Sequence, residues 1–234
     1  MRKTNRSPQK RISIAIYLLL SVGFIYAMSM SLTNKNLQTD KEKTKNLVLA
    51  EKANNNITLD IAERKSILND AAKKREEESK QAFIEAYKVF MHPRCMNCHP
   101  AGDVPLQGED SQLHTQGVKR GKDGRGLYAM KCKNCHQDAN LIGDNLPPGH
   151  PNWHLPPADR KMVFEGKSPR QLAIGFKNPK FTGFNTMDKF LHHIEHDSLV
   201  KNSFTYGVKP PLSHADFASK VREWVEKGAA LPDK

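Results

Sequence analysis

The chain has 234 residues, enough for one domain plus extensions rather than two large domains. Its formal charge is +12, and Arg2, Lys3, Arg6, Lys10 and Arg11 carry five of those charges with no acid among them. The four cysteines fall in two CxxC pairs with none left over, which argues against a disulfide framework.

Residues 1–11 read as a basic cytoplasmic segment. Residues 12–32, ISIAIYLLLSVGFIYAMSMSL, are 21 residues without a charge. Such a helix is roughly 30 Å long, the thickness of a bilayer core. Basic residues before the run and none directly after it predict that the rest of the chain is exported. A cleaved signal peptide competes, with Ala27-Met28-Ser29 as its cleavage site, but the run exceeds the usual apolar core of such peptides and favours a retained anchor. A basic exported chain meets acidic proteins or anionic lipid, and nucleic acid is excluded as its partner.

Residues 33–80 are polar and mixed in charge, and Asn54-Asn55-Asn56 interrupts them. Asp60 is placed to cap a helix that runs on through IAERKSILNDAAKKREEESKQ. Ile61, Leu68 and Ala72 form a thin apolar stripe, which suits a charged helical spacer better than a core element or a sustained coiled coil.

Residues 81–234 form the predicted folded domain. Phe83, Tyr87 and Phe90 share one helix face, and the helix must end near Met91 because His92 precedes Pro93. From Pro100 to Pro157 the chain is rich in Gly, Pro, Asp and Asn, so something other than a packed protein core must order it. Helical patterning returns after Ser168-Pro169 and over Thr186 to His196. The last helix opens at Ser213 with Asp216 three residues on, buries Phe217, Val221, Trp224 and Val225, and stops at Gly228.

The chemistry lies in Cys95-Met96-Asn97-Cys98-His99 and Cys132-Lys133-Asn134-Cys135-His136. Both are CxxCH, the pattern of c-type haem attachment. Two thiols add to the two vinyl groups of one haem, so their linker is short, and the next residue supplies the proximal imidazole to iron. A four-cysteine zinc site competes, but it needs no histidine after each pair, and the 33-residue gap between Cys98 and Cys132 exceeds the commonest ribbon spacing. Thioredoxin-like chemistry expects a βαβ context that the sequence lacks. Two covalent c-type haems are therefore expected, on Cys95, Cys98 and His99 and on Cys132, Cys135 and His136. His114, Met130, Met162 and His193 lead the choices for the distal ligands, on position alone.

The string His92-Pro93-Arg94-Cys95-Met96-Asn97-Cys98-His99-Pro100 resembles part of a known family. So do Pro151-Asn152-Trp153-His154-Leu155-Pro156-Pro157, Met162-Val163-Phe164-Glu165-Gly166-Lys167-Ser168-Pro169, Leu191-His192-His193 and Pro211-Leu212-Ser213-His214. The family is the di-haem cytochrome c region associated with bacterial isoquinoline 1-oxidoreductase-like proteins, which are molybdenum hydroxylases and aldehyde oxidoreductases. The resemblance covers roughly residues 81–234. It implies electron acceptance from such an enzyme or from a quinol-side donor, and delivery to another cytochrome or a terminal oxidase. It also implies a bacterial cytoplasmic membrane location with the haem domain on the periplasmic side. These 234 residues hold no molybdopterin-sized domain, so the hydroxylase chemistry is expected elsewhere.

The expected fold is mainly α: a small cytochrome c-like di-haem domain with long Gly/Pro-rich loops, preceded by a membrane helix and a polar helical spacer. An electron carrier is the first functional expectation. A di-haem peroxidase, with Glu165 and His154 as polar groups above an open iron, is the second, and a haem-based redox or gas sensor is the third.

Overall fold

The computed structural model describes the backbone of residues 9–143 and 146–234; the side chains of most residues from 9 to 37, and of residues 56, 57 and 59, lie outside the described part. The protein is mainly helical. Helix α1 spans Gln9–Phe90, α2 Pro93–Met96, α3 Pro169–Phe176, α4 Pro179–Thr182, α5 Met187–His196, α6 Ser198–Asn202 and α7 His214–Glu226. The strands among the described residues are two antiparallel hairpins of two-residue strands, β1 (Leu106–Gln107) with β2 (Gln112–Leu113) and β3 (Gly126–Leu127) with β4 (Met130–Lys131).

The expected membrane segment 12–32 falls largely on side chains outside the described residues. Among the described residues no helix is long and apolar enough to cross a membrane.

Two compact units divide the chain, the first ending at Leu68 and the second running Asn69–Lys234. In the first, α1 does not break at Asn54–Asn56, and Asp60 is no cap. Its carboxylate instead takes an ion pair from Arg64 one turn on, at 3.2 Å. Asparagine costs an interior helix position only a few tenths of a kcal/mol against its neighbours, too little to break a helix by itself.

The second unit begins earlier than residue 81. Ser79 is fully buried: its hydroxyl donates to the Trp224 carbonyl at 2.9 Å and accepts from Ala230 N–H at 3.1 Å. Arg75 bonds the Glu226 carbonyl, and Glu78 pairs with Lys227 at 2.9 Å. The end of α1 then buries Ala82, Phe83, Ala86, Val89 and Phe90, one helix face. Phe83 meets Trp224 at 4.7 Å between ring centroids, and Phe90 meets Phe176 at 4.7 Å and Phe217 at 5.0 Å. Tyr87, on the rim of that face, donates its hydroxyl to the Lys167 carbonyl at 2.6 Å.

The caps fall where side-chain chemistry places them. Ser168 and Gln171 form a capping box on α3. Ser213 accepts from Asp216 N–H at the start of α7, and Gly228, at φ 108°, ends the turn after it. Asp197 accepts from the Leu199 and Val200 amides and starts α6. Helices α1, α3, α5 and α7 thus supply one aromatic core. The two CxxCH motifs lie in the irregular chain between α1 and α3.

Candidate cofactor sites at the paired cysteine motifs

The first motif comes directly after the end of α1. His92 caps the short α2 by accepting from Arg94 N–H at 3.2 Å, and Pro93 takes the first helical position. This turn brings Cys95, Cys98 and His99 to one wall of a cavity of about 340 Å³. The opposite elements contribute Phe90, Phe164, Phe184, His193, Tyr206 and Phe217. All four cysteines are free thiols. Burial pushes the Cys95 thiol up to about 12 and the Cys98 thiol up to about 11. A redox-active CxxC pair requires the opposite shift, so the environment does not suit thioredoxin-like chemistry.

Each motif histidine is held in the same way. His99 donates Nδ1–H to the Met162 carbonyl at 2.8 Å and lies flat on Phe164, 3.9 Å between centroids and 8° between planes. His136 donates Nδ1–H to the Pro148 carbonyl at 2.6 Å and lies flat on Trp153, at 4.2 Å and 8°. A carbonyl can only accept, so both rings carry the proton on Nδ1 and keep a lone pair on Nε2. His99 is also pulled by the carbonyl of Lys161, the residue before Met162. Burial holds His99 down to about 3, against the opposing hydrogen bond to Met162, and lowers His136 in the same sense. Both imidazoles are therefore neutral. Backbone bonds repeat the pattern: Phe164 N–H donates to the His99 carbonyl at 2.9 Å, and His150 N–H to the Gln137 carbonyl at 2.8 Å.

One stretch of chain, residues 148–164, does all of this. It supplies the Pro148 and Met162 carbonyls and the Trp153 and Phe164 rings. Met162 has left-handed backbone geometry (φ 47°), uncommon for a residue with a side chain. Trp153 also lines the first cavity while stacking on the histidine of the second motif. Close approach of the glycine loop draws the motifs together. Leu155 N–H donates to the Gly124 carbonyl at 2.9 Å, and a Cβ on Gly124 would stand 1.9 Å from the Leu155 carbonyl oxygen. Cys132 lies close enough to Cys98 to help raise its pKa.

The four side chains considered as distal ligands are placed differently. His193, on α5, lines the first cavity, with Nδ1 3.3 Å from the Asp197 carboxylate and Nε2 unpartnered among the described residues. The bonded imidazole, with the Val200 and Leu199 amides, holds Asp197 well below the usual carboxylate range. His114 follows β2, its ring centroid 6.4 Å from that of His136, and its buried Nδ1 has no partner. Burial lowers its pKa. Met162 also lines the first cavity, and its backbone carbonyl accepts from His99 Nδ1–H. Met130 lies exposed in β4, outside the lining of the first cavity. His154 lines the first cavity as well, its Nδ1 bonded to the Asn152 carbonyl at 2.6 Å. Glu165 is engaged by the Ala101 amide at 2.7 Å.

Sequence reasoning missed the two stacking rings, Arg94 and Arg120. Arg94 is ion-paired with Glu109 and lies 4.9 Å from the centre of the Tyr206 ring, at the cavity wall. Arg120 is fully buried.

No family model, curated protein or solved structure matches the chain. The residues must speak for themselves. Among the described residues no three His, Cys, Asp or Glu side chains gather as a metal cluster would require. A haem makes a different demand. It needs two thiols and one neutral, oriented imidazole per motif, a flat apolar enclosure and a ligand opposite. The first site offers the two thiols, the neutral imidazole, aromatic walls and His193 within one lining. The second offers thiols, an oriented histidine and His114, whose buried Nδ1 has no partner, on a more open face where Cys135 is exposed.

Proposed function

We propose that the protein is a c-type cytochrome with two covalent haems that relays electrons between redox partners. The observation that carries this reading is the matched setting of His99 and His136. Each is neutral, fixed through Nδ1 to a backbone carbonyl and backed by an aromatic ring. Metal-bound histidines are commonly oriented in this way by their second nitrogen. The same arrangement occurs at both motifs.

Each haem, when bound, supplies a one-electron iron centre. The chain's own residues do the rest. Cys95, Cys98, Cys132 and Cys135 provide the thiols for attachment. Phe90, Phe164, Phe184 and Phe217 exclude water from the first site. His193, oriented by Asp197, is the distal ligand that the first cavity supports best, and His114 is its counterpart at the second.

The apolar run 12–32 behind a basic start supports export and a tether to the membrane, with the haem domain on the periplasmic side. The resemblance to the cytochrome region of isoquinoline 1-oxidoreductase-like proteins supports a molybdenum-dependent oxidoreductase as donor and another cytochrome or a terminal oxidase as acceptor. The peroxidase reading gains nothing from Glu165, whose carboxylate is taken by Ala101.

The test is direct. Protein matured in a host that attaches c-type haem should keep its haem after denaturation, and its mass should exceed the apo chain by two haem groups. Bound zinc, or a chain that takes no haem in such a host, would end this reading.

A further inference from the structure

The side chain of Arg120 is fully buried, and no carboxylate among the described residues forms an ion pair with it. Two backbone carbonyls hold its guanidinium: Nη1 donates to Pro156 O at 2.6 Å and Nη2 to Gly102 O at 3.3 Å. Its Nε is buried without a partner. The nearest acid to exert a pull on it, Asp103, is engaged by Lys161 at 2.7 Å. Desolvation lowers the pKa of Arg120, but a guanidinium starts so high that it stays charged. A buried charge without a counter-ion is costly, and proteins seldom keep one that does nothing.

Its position says where the charge acts. Gly102 lies three residues after His99, and Pro156 lines the first cavity. The field of Arg120 is felt at Cys98 and at His99, whereas the cations felt by Cys132 and His136 are Arg125, Lys131 and Lys133, all exposed and screened by water. The burial of the two motifs differs in the same direction, since Cys135 of the second is exposed.

We propose that Arg120 is the fixed positive charge that raises the reduction potential of the first haem above that of the second. This rests on the di-haem reading. A ferric haem carries one more positive charge than a ferrous one, so a cation buried beside it favours the reduced form. Exposure of the second motif to water leaves its ferric form better solvated. Both effects direct an electron arriving at the second motif towards the first. A unit charge about 10 Å from a redox centre, at an effective dielectric constant of about 20, changes its equilibrium by roughly tenfold.

The test is potentiometric titration of the two-haem protein with Arg120→Gln and Arg120→Lys. In Arg120→Gln the first midpoint should fall, and the share of electrons resting on the first haem should drop roughly tenfold, with the second midpoint little moved. Arg120→Lys keeps the charge near neutral pH and loses it on alkalinisation, because burial lowers a lysine readily. Its first midpoint should match the parent near pH 7 and drop below the parent's as the pH rises. If Arg120→Gln fails to fold, this alkaline drop decides alone. Variants that carry two haems, with first midpoints that ignore both substitutions, would overturn the role of Arg120 while leaving the di-haem reading intact. Parent protein that takes no haem would instead bring down the di-haem reading itself.

Discussion

The ring centroids of His114 and His136 stand 6.4 Å apart, with 58° between their planes. An imidazole nitrogen bonds a transition metal at about 2 Å, so two imidazoles on opposite sides of one metal have ring centres roughly 6 Å apart. His114→Ala should therefore leave one of the two haems five-coordinate. Visible and magnetic spectra should show one haem turning high-spin and binding carbon monoxide in the reduced state. A variant that keeps two low-spin haems would exclude His114 as ligand.

At the first site, His193→Ala and Met162→Leu should behave oppositely. Removing His193 takes away the imidazole that Asp197 orients, and the first haem should become open to cyanide. Met162→Leu removes the sulfur but preserves the backbone carbonyl that holds His99, so the low-spin spectrum should survive. Loss of that spectrum in Met162→Leu, with His193→Ala unaffected, would reverse the assignment.

Phe164 is both a core residue and the rest for His99. Its ring also meets Phe90 at 5.5 Å and Phe176 at 5.6 Å. Phe164→Ala should cost about 3–5 kcal/mol of stability, as buried aromatic truncations do. It should also broaden the spectrum of the first haem, because the imidazole loses its flat support. Equilibrium unfolding in denaturant measures the first effect and absorption of the folded variant the second.

The boundary of the second unit can be checked by truncation. A chain starting at residue 69 keeps Arg75, Glu78 and Ser79, and one starting at residue 81 loses all three. Ser79→Ala alone strands the Trp224 carbonyl and the Ala230 amide, at a cost of about 1–3 kcal/mol. For a unit of this size the melting temperature should fall by roughly 4–8 °C in the shorter chain relative to the longer. Equal melting temperatures would return the boundary to residue 81.

The motif residues stood out in the sequence because the chemistry proposed for them forces them to be neighbours: Cys95, Cys98 and His99 lie within five positions. Helix ends were legible for a similar reason, since Ser213 and Asp216 meet within one turn. The partners of the histidines were not. Met162 and Pro148 act through backbone carbonyls, which every residue has and which leave no trace in residue type. Trp153 and Phe164 lie 17 and 65 positions from the rings they support, too far for any local period to register. Arg120 looks like one more cation in a basic chain until its burial is seen. Ser79, a lone polar residue among charges, gave no sign that the folded unit had already begun.

Residues 148–164 grip both motif histidines, and this ties the two motifs mechanically. With His99 and His136 both docked, the stretch is secured near each end, at Pro148 and at Met162. Pro148, Pro151, Pro156 and Pro157 restrict the backbone between those grips. A displacement of either histidine is therefore carried along one stiff strap towards the other.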